Sequence, residues 1–293
     1  MGRTSVAVIG FGEAGQAFAA GMNAAVAAFD RKTDAEATRQ AKIDEAATAG
    51  VALASSNAEA LTGASIVLSL VTADQALAAA EETARAIPAG ALFCDMNSVA
   101  PGTKREAAAV IEAARGRYVD VAVMSPVLPL RRAAPLLTGG PHAEAGAEAL
   151  RQAGFTDVRV AGGMVGAASA IKMIRSVMVK GIEALTVECM LAATAAGVRD
   201  AVIASLDASW REAGWAERAD YNLDRVIVHG LRRAAELDEV VRTLDELGTG
   251  SAMTRGSAER QRAIGQLGLT VPDGLDAKLA LLLPRIRQLE GRP

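Results

Sequence analysis

Through the first half of the chain, short apolar runs alternate with stretches of helical character. The runs fall at residues 6–9, 25–29, 51–53, 66–71, 91–94 and 118–123. Alternation of this kind predicts a parallel, doubly wound sheet of the α/β class. Turn residues agree with it: Gly50 precedes the third run, Gly63 the fourth and Pro88-Ala89-Gly90 the fifth, and Pro101 fits the first turn of a helix after Asn97-Ser98. After a further run at 157–160 and the pair Gly162-Gly163, the pattern becomes helix after helix. The expected division is an α/β domain over 1–162 and an all-helical domain over 163–293. The stretch 165–196 has no proline and, beyond Gly166 at its start, a single glycine, Gly181, so it predicts one helix of roughly nine turns. Further amphipathic helices are expected at 200–213, 223–247, 257–267 and 273–289.

The first run feeds directly into Gly10-Phe11-Gly12-Glu13-Ala14-Gly15, a Gly-x-Gly-x-x-Gly turn before an alanine-rich segment. In the dinucleotide-binding (Rossmann) form of this turn each glycine has its own task. The first permits the tight bend, the second lets a pyrophosphate approach the backbone, and the third lets helix and strand pack closely. The helix that follows presents its N–H groups and positive dipole end to the phosphates. The second run ends in Asp30, about 20 residues past the first glycine, where a carboxylate can accept hydrogen bonds from an adenosine ribose. That acid favours NAD. Arg31 and Lys32 could instead hold the 2′-phosphate of NADP, although a solvated loop explains them equally well, and the expectation leans slightly to NAD.

Ligands gather at the carboxyl ends of parallel strands. Val71 and Thr72, ending the fourth run, are therefore expected beneath the nicotinamide ribose. Asn97 and Ser98, ending the fifth, are expected to face the nicotinamide or substrate, with helix capping as the other reading.

The 293 residues, 51% hydrophobic and 22% charged, suit an ordinary globular protein with a sizeable core. A net charge of −3 with 3% aromatic residues argues against nucleic acid as the main ligand. The chain enters its first strand with no apolar leader, which predicts a cytoplasmic protein. The apolar stretch 177–198 carries Lys180, Glu183 and Glu188, which predicts a buried helix and no membrane span. Cys94 and Cys189 have no metal-ligand spacing with His142 and His229, so both are assigned to packing and no metal is expected.

On the long helix, at about 100° per residue, Ser169, Lys172, Ser176, Lys180 and Glu183 share an arc of about 80°. A polar stripe that narrow faces either solvent or a cleft. Because it begins just after the domain junction, the cleft reading makes Lys172 the candidate general acid/base for hydride transfer between a nicotinamide and a hydroxyl-bearing carbon. Partial desolvation there would lower the lysine's pKa. Ser176, one turn on, could orient the lysine or bond the substrate.

The chain resembles the β-hydroxyacid dehydrogenase family, which includes 3-hydroxyisobutyrate and 6-phosphogluconate dehydrogenases. The likeness spans most of the first 200 residues. It rests on Gly10-Phe11-Gly12-Glu13-Ala14-Gly15, on Asp95-Met96-Asn97-Ser98 with Pro101, on Asp120 leading to Val123-Met124-Ser125, and on Gly162-Gly163 through Gly166 to Lys172. The resemblance implies a catalytic role for Lys172, and a homodimer built on the long helix whose partner helps complete a cleft between the domains. There are three departures. Ser176 stands where the family has asparagine, Met124-Ser125-Pro126 stands in place of a Ser-Gly-Gly loop, and a lysine near the start of a later helix is missing. Around that last position stand His229-Gly230-Leu231-Arg232-Arg233, resembling a poorly characterised C-terminal domain of some bacterial relatives.

The expected substrate contacts are Ser98, Ser125, Ser176, His229 and Arg233. An arginine of the 232–233 pair could clamp a carboxylate, and His229 could hydrogen-bond substrate. The expected activity is NAD(P)-dependent oxidation of a β-hydroxy acid or similar small hydroxylated compound. The alternatives are an imine or keto-acid reductase on the same scaffold, or a regulatory NAD(P)-binding protein without turnover.

Overall fold

The structure, a computed structural model, describes residues 5–209, 214–246 and 248–289; the side chains of some helical residues, Lys180 and Glu183 among them, lie outside the described set. Among the described residues there are eight strands: β1 (Ser5–Ile9), β2 (Ala25–Phe29), β3 (Ala52–Leu53), β4 (Ile66–Ser69), β5 (Leu92–Asp95), β6 (Arg117–Val123), β7 (Leu136–Gly139) and β8 (Val158–Gly162). Between them lie α1 (Glu13–Ala19), α2 (Glu36–Ala49), α3 (Asn57–Ala60), α4 (Ala76–Ala84), α5 (Pro101–Ala113) and α6 (Ala143–Gln152). Then follow α7 (Ala167–Ala195), α8 (Arg199–Ser209), α9 (Trp215–Glu246), α10 (Ala252–Gly265) and α11 (Leu275–Leu289).

The strands form one sheet in the order β3-β2-β1-β4-β5-β6-β7-β8, the doubly wound arrangement the alternation predicts. β1 pairs in parallel with β2 on one side and β4 on the other, Val6 lying opposite Val26 and Ile66. Chain order reverses at β1, so a crevice opens between the carboxyl ends of β1 and β4. Alternate residues of each strand enter two separate cores. Val6, Val8 and Leu68 pack with Phe11 and Phe18 on one face, and Ala7, Ile9 and Val67 pack with Phe93 and Tyr118 on the other. Both faces are covered, which is why these strands read as continuous apolar runs.

One strand is absent from the sequence expectation. β7 runs antiparallel to β6, with Asp120 opposite Gly139, and β8 then pairs parallel to β7. Its four residues, Leu136 to Gly139, follow a segment rich in proline and arginine and are too few to show a period of two.

Contacts divide the chain into two compact units, 1–177 and 178–293, and the division falls within α7. That helix matches the uninterrupted stretch expected from the sequence. In the second unit Ile227, Ile264 and Leu282 form a small core. There α9 and α10 cross at Gly230 and Gly265, where a Cβ on either glycine would lie 2.5 Å from the other helix's backbone. No helix among the described residues is long and apolar enough to cross a membrane.

Candidate functional site

The glycine turn has the geometry its sequence implies. Gly10 takes φ 92°, and a Cβ there would lie 2.4 Å from the Leu70 carbonyl oxygen of the neighbouring β4 end. A Cβ on Gly15 would lie 2.3 Å from the Gly10 carbonyl, so α1 packs directly on the turn. Gly12 differs, since a Cβ there would meet nothing within 4 Å. The turn is open on the side where a pyrophosphate would approach, with Glu13 and Ala14 beginning α1 beside it. These residues fit a dinucleotide's phosphates.

Beside the turn lies a cleft of about 320 Å³ whose lining includes Gly10, Gly12, Asp30, Arg31, Val71 and Thr72. Six of the expected cofactor residues therefore line one wall, with Gly15 packed against the Gly10 carbonyl of the same turn. Asp30 ties the wall together: its carboxylate accepts the Phe11 N–H at 2.8 Å and the Lys32 N–H at 2.9 Å. Arg31 donates to Gln75 Oε1 at 2.7 Å, joining the end of β2 to the loop after β4. Gln75 and the buried Asn57 also line the cleft. Sequence reasoning missed both, because neither belongs to a motif.

Lys172, half-buried on α7, donates to Ser98 Oγ at 2.6 Å. The structure thus joins the candidate acid/base to a candidate substrate contact 74 residues away. A buried polar lattice sets both in place. Asn97 accepts the Val71 N–H at 2.7 Å and donates to Ser69 Oγ at 3.0 Å and Asp95 Oδ1 at 2.8 Å. Tyr118 donates to the other Asp95 oxygen at 2.7 Å. On the next strand Asp120 Oδ2 accepts the N–H groups of Gly166 and Ser169 at 3.1 and 3.0 Å, capping the first turn of the helix that carries Lys172. A carboxylate placed there also complements the helix dipole. Gly166, at φ 99°, lets this turn close onto α5, since a Cβ would lie 2.9 Å from Pro101 Cβ.

Between the two carboxylates sits Lys104, fully buried, with Nζ 3.0 Å from Asp95 Oδ1 and 3.5 Å from Asp120 Oδ1. Sequence reasoning passed over it, although Lys104 shares a helical stripe with Ala107, Ala108 and Ile111, all buried. A cation on an apolar stripe is the signal that would have found it. Removing one partner of a buried pair leaves uncompensated charge, so Lys104→Met is expected to cost about 3–5 kcal/mol in urea unfolding. A loss below about 1 kcal/mol would show that the two carboxylates do not depend on this ammonium. Burial also pushes the Tyr118 phenol well above its ordinary range, aided by the Asp95 charge, which keeps it a donor. Burial raises the Cys94 thiol to about 12, consistent with packing and not nucleophilic use.

The remaining candidates stand apart from the Lys172–Ser98 pair in their bonding. Ser176 donates to the Lys172 main-chain carbonyl at 2.9 Å, so the hydroxyl is engaged with its own helix and not with the lysine's amine. Ser125 donates locally to the Pro126 carbonyl at 3.2 Å. His229 and Arg233 lie one turn apart on α9 in the second unit, both half-buried. The expected roles of Lys180 and Glu183 fall on side chains outside the described residues.

Residues 5–150 match the model of the NAD binding domain of 6-phosphogluconate dehydrogenase, and residues 193–264 match a domain of unknown function, DUF1932. Among solved structures, a conserved hypothetical protein from Sinorhizobium meliloti 1021 is 36% identical, with 97% of each chain covered and a TM-score of 0.61. MTH1747, a conserved protein of unknown function described as structurally similar to 3-hydroxyacid dehydrogenases, is 29% identical over 91% of this chain and 100% of its own, with a TM-score of 0.57. An imine reductase from Myxococcus stipitatus in complex with NADP+ shares the fold at 19% identity, over 95% of this chain and 99% of its own, with a TM-score of 0.72. No curated protein matches the chain.

Proposed function

Because this chain belongs to the β-hydroxyacid dehydrogenase family, with a 6-phosphogluconate dehydrogenase-type NAD-binding domain joined to DUF1932, we propose that it is an NAD(P)-dependent oxidoreductase acting on a β-hydroxy acid or related small hydroxylated compound. The observation that carries this reading is the 2.6 Å hydrogen bond from Lys172 Nζ to Ser98 Oγ, at the carboxyl end of the sheet that also forms the glycine turn. A bound nicotinamide would supply or accept the hydride. Lys172, as the neutral amine, takes the substrate's hydroxyl proton in oxidation and, as the ammonium so formed, returns it in reduction. Ser98 directs the ammonium, and Asp120, by capping α7, fixes the helix from which it projects.

In this proposal residues 1–162 bind the dinucleotide and residues 163–293 serve substrate binding and dimerisation. Ser98 and Ser125 on the first domain, and Ser176, His229 and Arg233 on the second, are the proposed substrate contacts, with an arginine suited to a carboxylate. Asp30 in the cleft wall supports a slight preference for NAD, which Arg31 and Lys32 oppose. A homodimer is supported by Ile171, Ile174, Met178, Ile182 and Leu185, which follow helical spacing on α7 and are each exposed, Ile174 by 71%.

The test is a screen of the purified protein. NAD+ and NADP+ reduction would be followed with β-hydroxy acids, NADH and NADPH oxidation with the matching keto acids and with cyclic imines, and mass measured by light scattering. Turnover with a hydroxy acid and a mass of two chains is the expected result. Turnover confined to imines would overturn the substrate class, and nucleotide binding with no turnover would overturn the enzyme reading. Parallel titrations of NAD+ and NADP+ decide the cofactor preference, a tenfold difference corresponding to about 1.4 kcal/mol.

A further inference from the structure

Lys42 lies on α2, belongs to no motif, and is nevertheless buried to 6% exposure. Burying an ammonium is costly unless its donors are satisfied. This one donates at 2.8 Å to the carbonyl oxygen of Phe11, inside the glycine turn, and at 2.5 Å to Glu45 Oε2. Gln16 on α1 repeats the pattern, donating to the same Phe11 carbonyl at 3.3 Å and to Glu45 Oε2 at 2.7 Å. The other end of residue 11 is also held, since its N–H donates to Asp30 Oδ2. The backbone between Gly10 and Gly12 is therefore gripped on both sides by groups from three elements.

The consequence follows from peptide geometry. A peptide unit is planar and trans, so its C=O and N–H point in opposite directions. With the Phe11 carbonyl drawn toward Lys42 and Gln16, the N–H of Gly12 is turned the opposite way. Gly12 is the residue whose added Cβ would meet nothing within 4 Å, and an anion at such a turn is bound by backbone N–H groups. We propose that Lys42 is a positioning residue for the cofactor's pyrophosphate: it fixes the Phe11–Gly12 peptide so that the Gly12 N–H is aimed at the phosphates, with Glu45 holding the ammonium in place and Gln16 assisting. The proposal rests on the NAD(P)-binding reading. It adds a cation 31 residues from the turn that acts through the backbone and not by touching phosphate.

The experiment compares nucleotides with and without a pyrophosphate on the full-length protein, using NADPH fluorescence and its displacement. Lys42→Met is expected to weaken NADPH and ADP-ribose by about tenfold or more, the loss of a charge-assisted hydrogen bond. It should leave adenosine 2′-monophosphate, which has no pyrophosphate, bound as in the parent. Lys42→Arg, which keeps a donor for the carbonyl, should recover most of the NADPH affinity. A folded Lys42→Met protein that binds NADPH like the parent would overturn the proposal. So would an equal loss for adenosine 2′-monophosphate, which would indicate general distortion of the cleft. Should Lys42→Met not fold, Gln16→Met removes the second donor to the same carbonyl and is expected to show the pyrophosphate-selective loss on a smaller scale, with a shifted Gly12 amide resonance; neither effect appearing would equally refute the idea. A parent protein that binds none of these nucleotides would instead refute the NAD(P) reading itself.

Discussion

Replacing Lys172 with alanine is expected to lower turnover by about 10²–10⁴-fold, the range for removing a general acid/base, while the dissociation constants for NAD(P) stay at the parent's values. The separation follows from where the lysine sits. Its ammonium bonds Ser98 after β5, whereas the described cleft wall is made by the glycine turn and the segments following β2 and β4. The helix should survive the change, because its first turn is capped by Asp120 through Gly166 and Ser169 and not by residue 172. Rates measured with the hydroxy acid found in the screen, beside fluorescence titration of the cofactor, read the two quantities independently. Turnover within about threefold of the parent's would remove the lysine from the chemistry. A fall in cofactor affinity to match the fall in rate would mean that the substitution had disturbed the fold.

Much of this arrangement was legible in the sequence because it depends on local chemistry. At 10–15 three glycines at fixed spacing, between a strand and a helix, give the local signature of the turn that forms there. The stretch from 165 to 196 contains no proline to interrupt a helix, and α7 occupies nearly all of it. What was not legible depends on contacts distant in sequence. Nothing near Ser98 announces that an amine 74 residues on will bond it, and β7 is too short to carry a pattern, taking its strand form from pairing with β6. Lys104 and Lys42 lie between these cases. Each occupies an inward position on its helix, Lys104 four residues before Ala108 and Lys42 four before Ala46, and all four residues are buried. A lysine on an inward face must find acceptors, but the inward placement itself was not read from the sequence, since on α2 the apolar Ile43 is exposed while its neighbour Lys42 is buried.

Gly12→Val is expected to weaken NAD(P) binding by about a hundredfold, close to 2.7–2.8 kcal/mol, in a protein that remains folded. The two parts of this outcome have separate causes. Gly12 has φ −84° and ψ −161°, extended backbone open to any residue, and an added Cβ would meet no atom of the protein within 4 Å. A valine there costs the fold little and fills the space through which a pyrophosphate reaches the turn. Gly10→Ala should behave in the opposite way. Its Cβ would be forced to 2.4 Å from the Leu70 carbonyl at φ 92°, a backbone region that costs a non-glycine residue about 1–3 kcal/mol even before the clash, so the loss should appear in stability. Measuring urea unfolding and NADPH affinity on both variants separates the two roles. If Gly12→Val bound NADPH like the parent, the open side of the turn would not be where the cofactor's phosphates lie, and the functional assignment of this site would fail with it.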